Sequence, residues 1–223
     1  MKPTKKPRVK VCCIANVAEA NLAISYGASA LGLVSETPSG SLISEGLIAQ
    51  VASLVPPAVS SFLLTSKPDT LAIIAQQRRL GVNTIQIGDH LQSGTYDDLR
   101  QALPGISLVQ VISVENADSI EAALKAAPHV HGLLLDSSDH VLNLKEHGGT
   151  STHNWEISRK IRESVDIPVF LSGGLTPENV SEAIQQVQPF GVNVCSGVRT
   201  KGKLDEDKLA KFFAQVSRCL ETA

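Results

Sequence analysis

Two side chains stand at the ends of apolar runs where they could exchange protons with a ligand: Cys12 in "VKVCCIAN" and Asp136 in "GLLLDS". Strand alternation puts Lys10 and Cys12 on one face, about 7 Å apart, and Val9, Val11 and Cys13 on the other. An ammonium beside a thiol lowers its pKa from a reference of about 8.5, giving a thiolate able to act as base or nucleophile. The lysine marks the interior face. Cys13 is then expected to face outward and pack, the bland alternative being that both thiols are buried small hydrophobes. At the end of three leucines, the Asp136 carboxyl faces desolvation, which favours the protonated form and suits a general acid; capping the next loop is its structural alternative. A thiolate base opposite a carboxylic acid suits proton transfer on a bound ligand. Hydrolysis by a thiol triad fits less well, because no histidine is placed beside Cys12 by sequence pattern.

Glycines supply the second signal. "SGGLTPENV" contains Gly173 and Gly174 and "CSGV" contains Gly197, each directly after a strand-like run. Glycine lets backbone N–H groups turn toward one anion, so these turns are candidates for a phosphate grip, against the plainer reading of tight turns alone. A short helix after the last strand would add its positive end. "EHGGTSTHNW", with Gly148 and Gly149, has the composition of a lid.

The elements that must position these groups repeat along the whole chain. Apolar runs begin at 9, 30, 60, 83, 107, 132, 167 and 191, and an amphipathic stretch of helical length follows each. They recur about every 25 to 30 residues, the size of one βαβ step. Eight such units in 223 residues predict one α/β domain, a closed (β/α)8 TIM barrel over residues 1–223, with 1–8 a basic lead-in. In that architecture chemistry gathers at the C-terminal strand ends, and phosphate binds after strands 7 and 8.

Composition sets the wider bounds. A net charge of −2 gives no basic field for nucleic acid, and no apolar run approaches a membrane span. "MKPTKKPR" lacks the apolar segment of a secretory signal, so a soluble, intracellular, cytoplasmic protein is expected. The four cysteines fit neither a C-x-x-C metal pattern nor a disulfide framework, and are expected to be reduced with at most one chemically active. His129 and His131, with His140 and His147 nearby, are read as strand-entrance and loop residues rather than a metal cluster. "QQRR" at 76–79 is read as a solvated helix face.

These motifs, across nearly the whole chain, resemble the phosphoribosylanthranilate isomerase family of tryptophan biosynthesis. "KVCCIAN" is similar to that family's K-[IV]-C-G-I-[TK]-N strand and "LLLDS" to its L-L-L-D strand. "HGGTSTHNW" resembles its lid, "LSGGLTPENV" its phosphate turn, and "NVCSGVRTKGKLD" its D-x-S-S-G-V-E…G-x-K-D end. The resemblance implies an Amadori rearrangement of an aminoaldose phosphate to an aminoketose phosphate, with Cys12 as general base and Asp136 as general acid. It implies phosphate held by Gly173, Gly174, Ser196 and Gly197, with Gly149 contributing from the lid, and neither metal nor organic cofactor. Substrate contacts fall to Lys10, Ser41, Gln86, Asn193 and Arg199.

The sequence departs from the family patterns at several of these positions. Ser41 stands where an arginine is expected to hold the anthranilate carboxylate, and Gly88 stands for a histidine. Asn193 replaces an aspartate, Cys13 a glycine, Ala15 a threonine and Arg199 a glutamate. Arg199 is the candidate to supply the missing cation. Two other readings are the same chemistry on another phosphorylated sugar, and binding of a phosphorylated metabolite without turnover. The expected partner is a small phosphorylated sugar, with neither nucleic acid nor membrane, and a homodimer as the assembly considered.

Overall fold

A computed structural model of the chain describes residues 7–37, 40–41, 43–136 and 154–219. The barrel strands are β1 (Arg8–Val11), β2 (Ala30–Val34), β3 (Ser60–Thr65), β4 (Thr84–Ile87), β5 (Ser107–Ser113), β6 (Gly132–Asp136), β7 (Val169–Leu171) and β8 (Gly191–Val194). All are parallel, and β1 lies between β2 and β8, which closes the sheet. The helices are α1 (Val17–Ser25), α2 (Glu45–Leu54), α3 (Thr70–Leu80), α4 (Tyr96–Ala102), α5 (Asp118–Ala126), α6 (Trp155–Ser164), α7 (Val180–Val187) and α8 (Glu206–Arg218). None of the described helices is long and apolar enough to cross a membrane.

The strands are apolar on both faces because both faces are buried. Val9, Val11, Leu31 and Leu33 point outward to a shell that includes Ile48, Ile161 and Phe212. Ala30, Phe62, Val109, Val111, Leu134 and Phe170 fill the interior. Phe170 meets Phe62 and Phe190 edge-on, with ring centroids 5.8 and 5.4 Å apart. Truncating such a residue to alanine costs about 3–5 kcal/mol.

Helix starts follow local chemistry. The side chains of Asn16, Ser44, Asp69, Asn154 and Asp205 accept from first-turn N–H groups, and Thr95 closes a capping box with Asp98. Asn179, before α7, instead accepts from Thr176 N–H and donates to the Gly174 carbonyl, which fixes the loop after β7. The "QQRR" reading needs correction, since only its arginines face solvent. Gln76 is buried and donates to Ser35 Oγ and Glu45 Oε1 while accepting from Thr65 Oγ1, and Gln77 donates to the Val82 carbonyl.

Candidate active site

The site begins at the seam between the first and last strands. Lys10 pairs in register with Asn193 on β8 and Ala30 on β2, so its side chain enters the barrel, where it is fully buried. Its Nζ donates to Asn193 Oδ1 at 2.8 Å, stands 3.6 Å from Cys12 Sγ and lies over the Phe62 ring. A buried ammonium needs an anion or strong acceptors. Among the described residues no carboxylate pairs with it, so the Cys12 sulfur is the group that can answer its charge.

The thiol responds accordingly. Cys12 is held down to about 5, first by a hydrogen bond from the Cys13 thiol and then by the Lys10 charge, with burial opposing both. Cys13 is pushed well above its ordinary value because its proton serves the Cys12 sulfur. Gly32, on β2, makes the arrangement fit, because a Cβ there would stand 2.6 Å from Cys12 Sγ and 3.0 Å from Lys10 Nζ.

From Lys10 a directed hydrogen-bond chain runs along the neighbouring strand ends of β8, β7 and β6. Asn193 accepts from Lys10 through Oδ1 and donates through Nδ2 to Ser172 Oγ at 2.9 Å; the Ser172 hydroxyl donates to Asp136 Oδ2 at 3.0 Å. The chain starts at a cation and ends at a carboxyl, and the amide of Asn193 supplies both the acceptor and the donor it needs. An aspartate at 193 in ionised form could not donate to Ser172. Cys12 and Asp136 are thus held by one network at the C-terminal strand ends. Sequence reading missed Ser172, because a serine ahead of Gly-Gly reads as part of a turn.

Cys13 lies elsewhere than expected. β1 ends at Val11, and at Cys13 the backbone is left-handed, with φ 60°. That conformation costs a residue with a Cβ roughly 1–2 kcal/mol and breaks the alternation that predicted an outward side chain. The sulfur joins Cys12, Val34, Leu64 and Cys195 at the mouth rather than the helix-facing core. The matching glycine of the family pattern was the available signal.

Arg199 is also placed differently from the sequence reading. Its guanidinium binds both Glu19 carboxylate oxygens, at 3.1 and 2.9 Å, and donates to the carbonyls of Cys12, Cys13 and Gly202. Burial opposes ionisation of Glu19, yet hydrogen bonds from Arg199, Leu204 N–H and Ala15 N–H hold its carboxyl below the ordinary value. This cation therefore clamps the turn that carries the thiols.

After β7, Gly173 and Gly174 take φ of 87° and 60°, and after β8 residues Ser196–Val198 form a 3-10 turn. Gly197 has no room for a side chain against the Leu175 carbonyl, so the two loops touch backbone to backbone. Among the described residues, no backbone acceptor is paired with the N–H groups of Gly173, Gly174, Ser196 or Gly197. Gln86 faces the interior from β4, buried, with Oε1 unpartnered. Ser41 pairs with Glu36 in a two-stranded hairpin, Glu36–Thr37 with Gly40–Ser41, beyond β2. Gly149, Gly148, His140 and His147 lie outside the described residues. The "HVH" pair is structural: His131 Nδ1 accepts from Leu108 N–H, and His129 stacks on Tyr96. Among the described residues no cluster of three or more ligating side chains could hold a metal ion.

A family model described as N-(5'phosphoribosyl)anthranilate (PRA) isomerase matches residues 9–215. This chain belongs to that family. It is 32% identical to the N-(5'-phosphoribosyl)anthranilate isomerase of Haloarcula marismortui, over 97% of this chain and 99% of the relative. The phosphoribosyl anthranilate isomerase of Thermotoga maritima superposes with a TM-score of 0.79 at 29% identity, covering 95% and 99% of the two chains. A solved member in complex with reduced 1-(o-carboxyphenylamino)-1-deoxyribulose 5-phosphate superposes with a TM-score of 0.76 at 27% identity, with the same coverage. Like these relatives, the chain is an isomerase of the aldose-ketose type, built on a closed eight-stranded barrel.

Proposed function

We propose that isomerisation of N-(5'-phosphoribosyl)anthranilate, a step of tryptophan biosynthesis, runs in this chain between Cys12 as base and Asp136 as acid. The observation that carries the assignment is the hydrogen-bonded chain from Lys10, beside Cys12, through Asn193 and Ser172 to Asp136. Asp136 protonates the ribose ring oxygen, the bond from that oxygen to C1 breaks, and the ring opens to a Schiff base. Cys12 takes the C2 proton, giving an enolamine that becomes the ketone. The Lys10 ammonium keeps the thiolate available before the transfer, and Ser172 holds Asp136 in orientation.

Phosphate is assigned to the N–H groups of Gly173, Gly174, Ser196 and Gly197, a cradle that binds an anion without a side-chain charge. Gln86 is assigned to the substrate, because its unpartnered buried oxygen gains a donor only when a ligand arrives. Arg199 is better assigned to support of the Cys12–Cys13 turn than to the anthranilate carboxylate, because Glu19 already neutralises it.

The direct test is loss of substrate fluorescence on mixing N-(5'-phosphoribosyl)anthranilate with the purified protein. Native protein is expected to abolish the signal, and Cys12→Ala to retain no more than about one part in 100 of the rate. A Cys12→Ala protein that turns over at the native rate removes the sulfur from the mechanism.

A further inference from the structure

Isomerisation uses one thiol, yet three meet at the mouth. Cys195 S–H donates to Cys13 Sγ across 2.7 Å, and both residues pack against the Cys12 cluster. The backbones that carry them are fixed side by side: Cys12 N–H donates to the Val194 carbonyl at 2.8 Å, and Arg199 grips the Cys12 and Cys13 carbonyls. Cys13 and Cys195 are partly exposed, whereas Cys219 is buried and occupied with Ser181 and the Gln215 carbonyl. A disulfide needs two thiols brought close together, and this pair stands 2.7 Å apart.

We propose that Cys13 and Cys195 form a reversible disulfide across the seam between β1 and β8, created when a hydroperoxide oxidises Cys12 and the oxidation is passed along the three sulfurs. In the first step the Cys12 thiolate attacks the hydroperoxide; an S–O bond forms, the O–O bond breaks, and with one proton from water the products are Cys12 sulfenic acid and an alcohol or water. Cys13 then attacks the sulfenyl sulfur; the S–O bond breaks, and hydroxide leaves as water with the Cys13 proton. Cys195 loses its proton to solvent and attacks Cys13; the Cys13–Cys195 bond forms and Cys12 departs as thiolate. In sum two thiols are oxidised, one peroxide is reduced, and the general base is restored.

Oxidation starts at Cys12 because it carries the thiolate, while Cys13 holds its proton. The end state has a built-in effect, since Cys13 as a disulfide has no S–H to donate to Cys12. The cluster thereby spares the catalytic sulfur from irreversible oxidation and weakens it as a base while the oxidant lasts.

The experiment uses reduced full-length protein and stoichiometric hydrogen peroxide, with thiol counting in denaturant and peptide mapping. The four free thiols fall to two, the mapped link joins Cys13 to Cys195, Cys12 remains open to iodoacetamide, and dithiothreitol restores all four. The pH midpoint of Cys12 alkylation rises in the oxidised protein. Cys195→Ser, isosteric and able to keep the fold, accumulates Cys12 sulfinic acid at peroxide levels where the native protein does not, and Cys12→Ser forms the Cys13–Cys195 link more slowly. The proposal is overturned by four thiols surviving, by a link that stops at Cys12 and Cys13 or involves Cys219, by equal Cys12 over-oxidation with and without Cys195, or by an unchanged rate in Cys12→Ser. None of these readouts depends on isomerase activity.

Discussion

On the side of the mouth built by β6, β7, β8 and β1, Lys10, Asn193, Ser172 and Asp136 are hydrogen-bonded to one another. The opposite side, from β2 to β4, presents Val34 and Leu64 together with Gln86, whose Oε1 has no partner. On the proposed mechanism the first side handles protons and an anion, so its charges must be oriented before substrate arrives. The second keeps a buried acceptor, Gln86 Oε1, without a protein donor among the described residues. Family departures at Ser41 and Gly88 fall in the loops that follow β2 and β4, on the second side.

The sharpest way to break the comparison is Asp136→Asn, which keeps shape and removes the acid. The kcat is expected to fall about 100- to 10,000-fold with little change in KM, read by the fluorescence assay. Less severe is Gly32→Ala, whose Cβ would intrude 2.6 Å from Cys12 Sγ. Overpacking there should lower unfolding free energy by about 1–3 kcal/mol in urea titration and disturb the thiol.

The thiol itself provides a pH test. Because Cys12 sits at about 5 rather than at its ordinary 9.0, its thiolate persists through neutrality and is lost only as pH falls through about 5. Iodoacetamide alkylation should therefore rise with a midpoint near pH 5, and Cys13→Gly, lacking the donor thiol, should move that midpoint upward. A native midpoint near 9 would show that the first side is not preorganised. The smallest effect belongs to the second side. Gln86→Met removes an unpartnered buried oxygen and is expected to stabilise the ligand-free protein by about 1 kcal/mol while raising KM; a loss of stability would mean the oxygen is already satisfied.

Much of the barrel was legible in sequence because strand and helix periods recur without interruption, and Lys10 alone told which face of β1 points inward. Cys12, Lys10 and Asp136 were singled out by their places on strands, and Asn193 through the family resemblance. Cys13 was misplaced because alternation assumes extended backbone, which ends two residues earlier at Val11. Arg199 was the candidate for the missing substrate cation because nothing in a linear pattern couples it to Glu19, 180 positions away. Ser172 carries no local mark that separates a turn former from the hydroxyl that steers a carboxyl. The buried Gln76 was hidden in a polar run whose other face is solvated.

Lys10 meets Asn193 across 183 positions of chain. Contacts of such range form late, after the loop entropy of everything between them has been lost. During synthesis the Cys12 sulfur leaves the ribosome long before the strand that completes its surroundings. A polypeptide released before residue 193 would carry a lysine with no amide to receive it and would lack the Ser196–Val198 turn. On the proposed mechanism competence waits for ring closure, and truncated products should be inert rather than partly active.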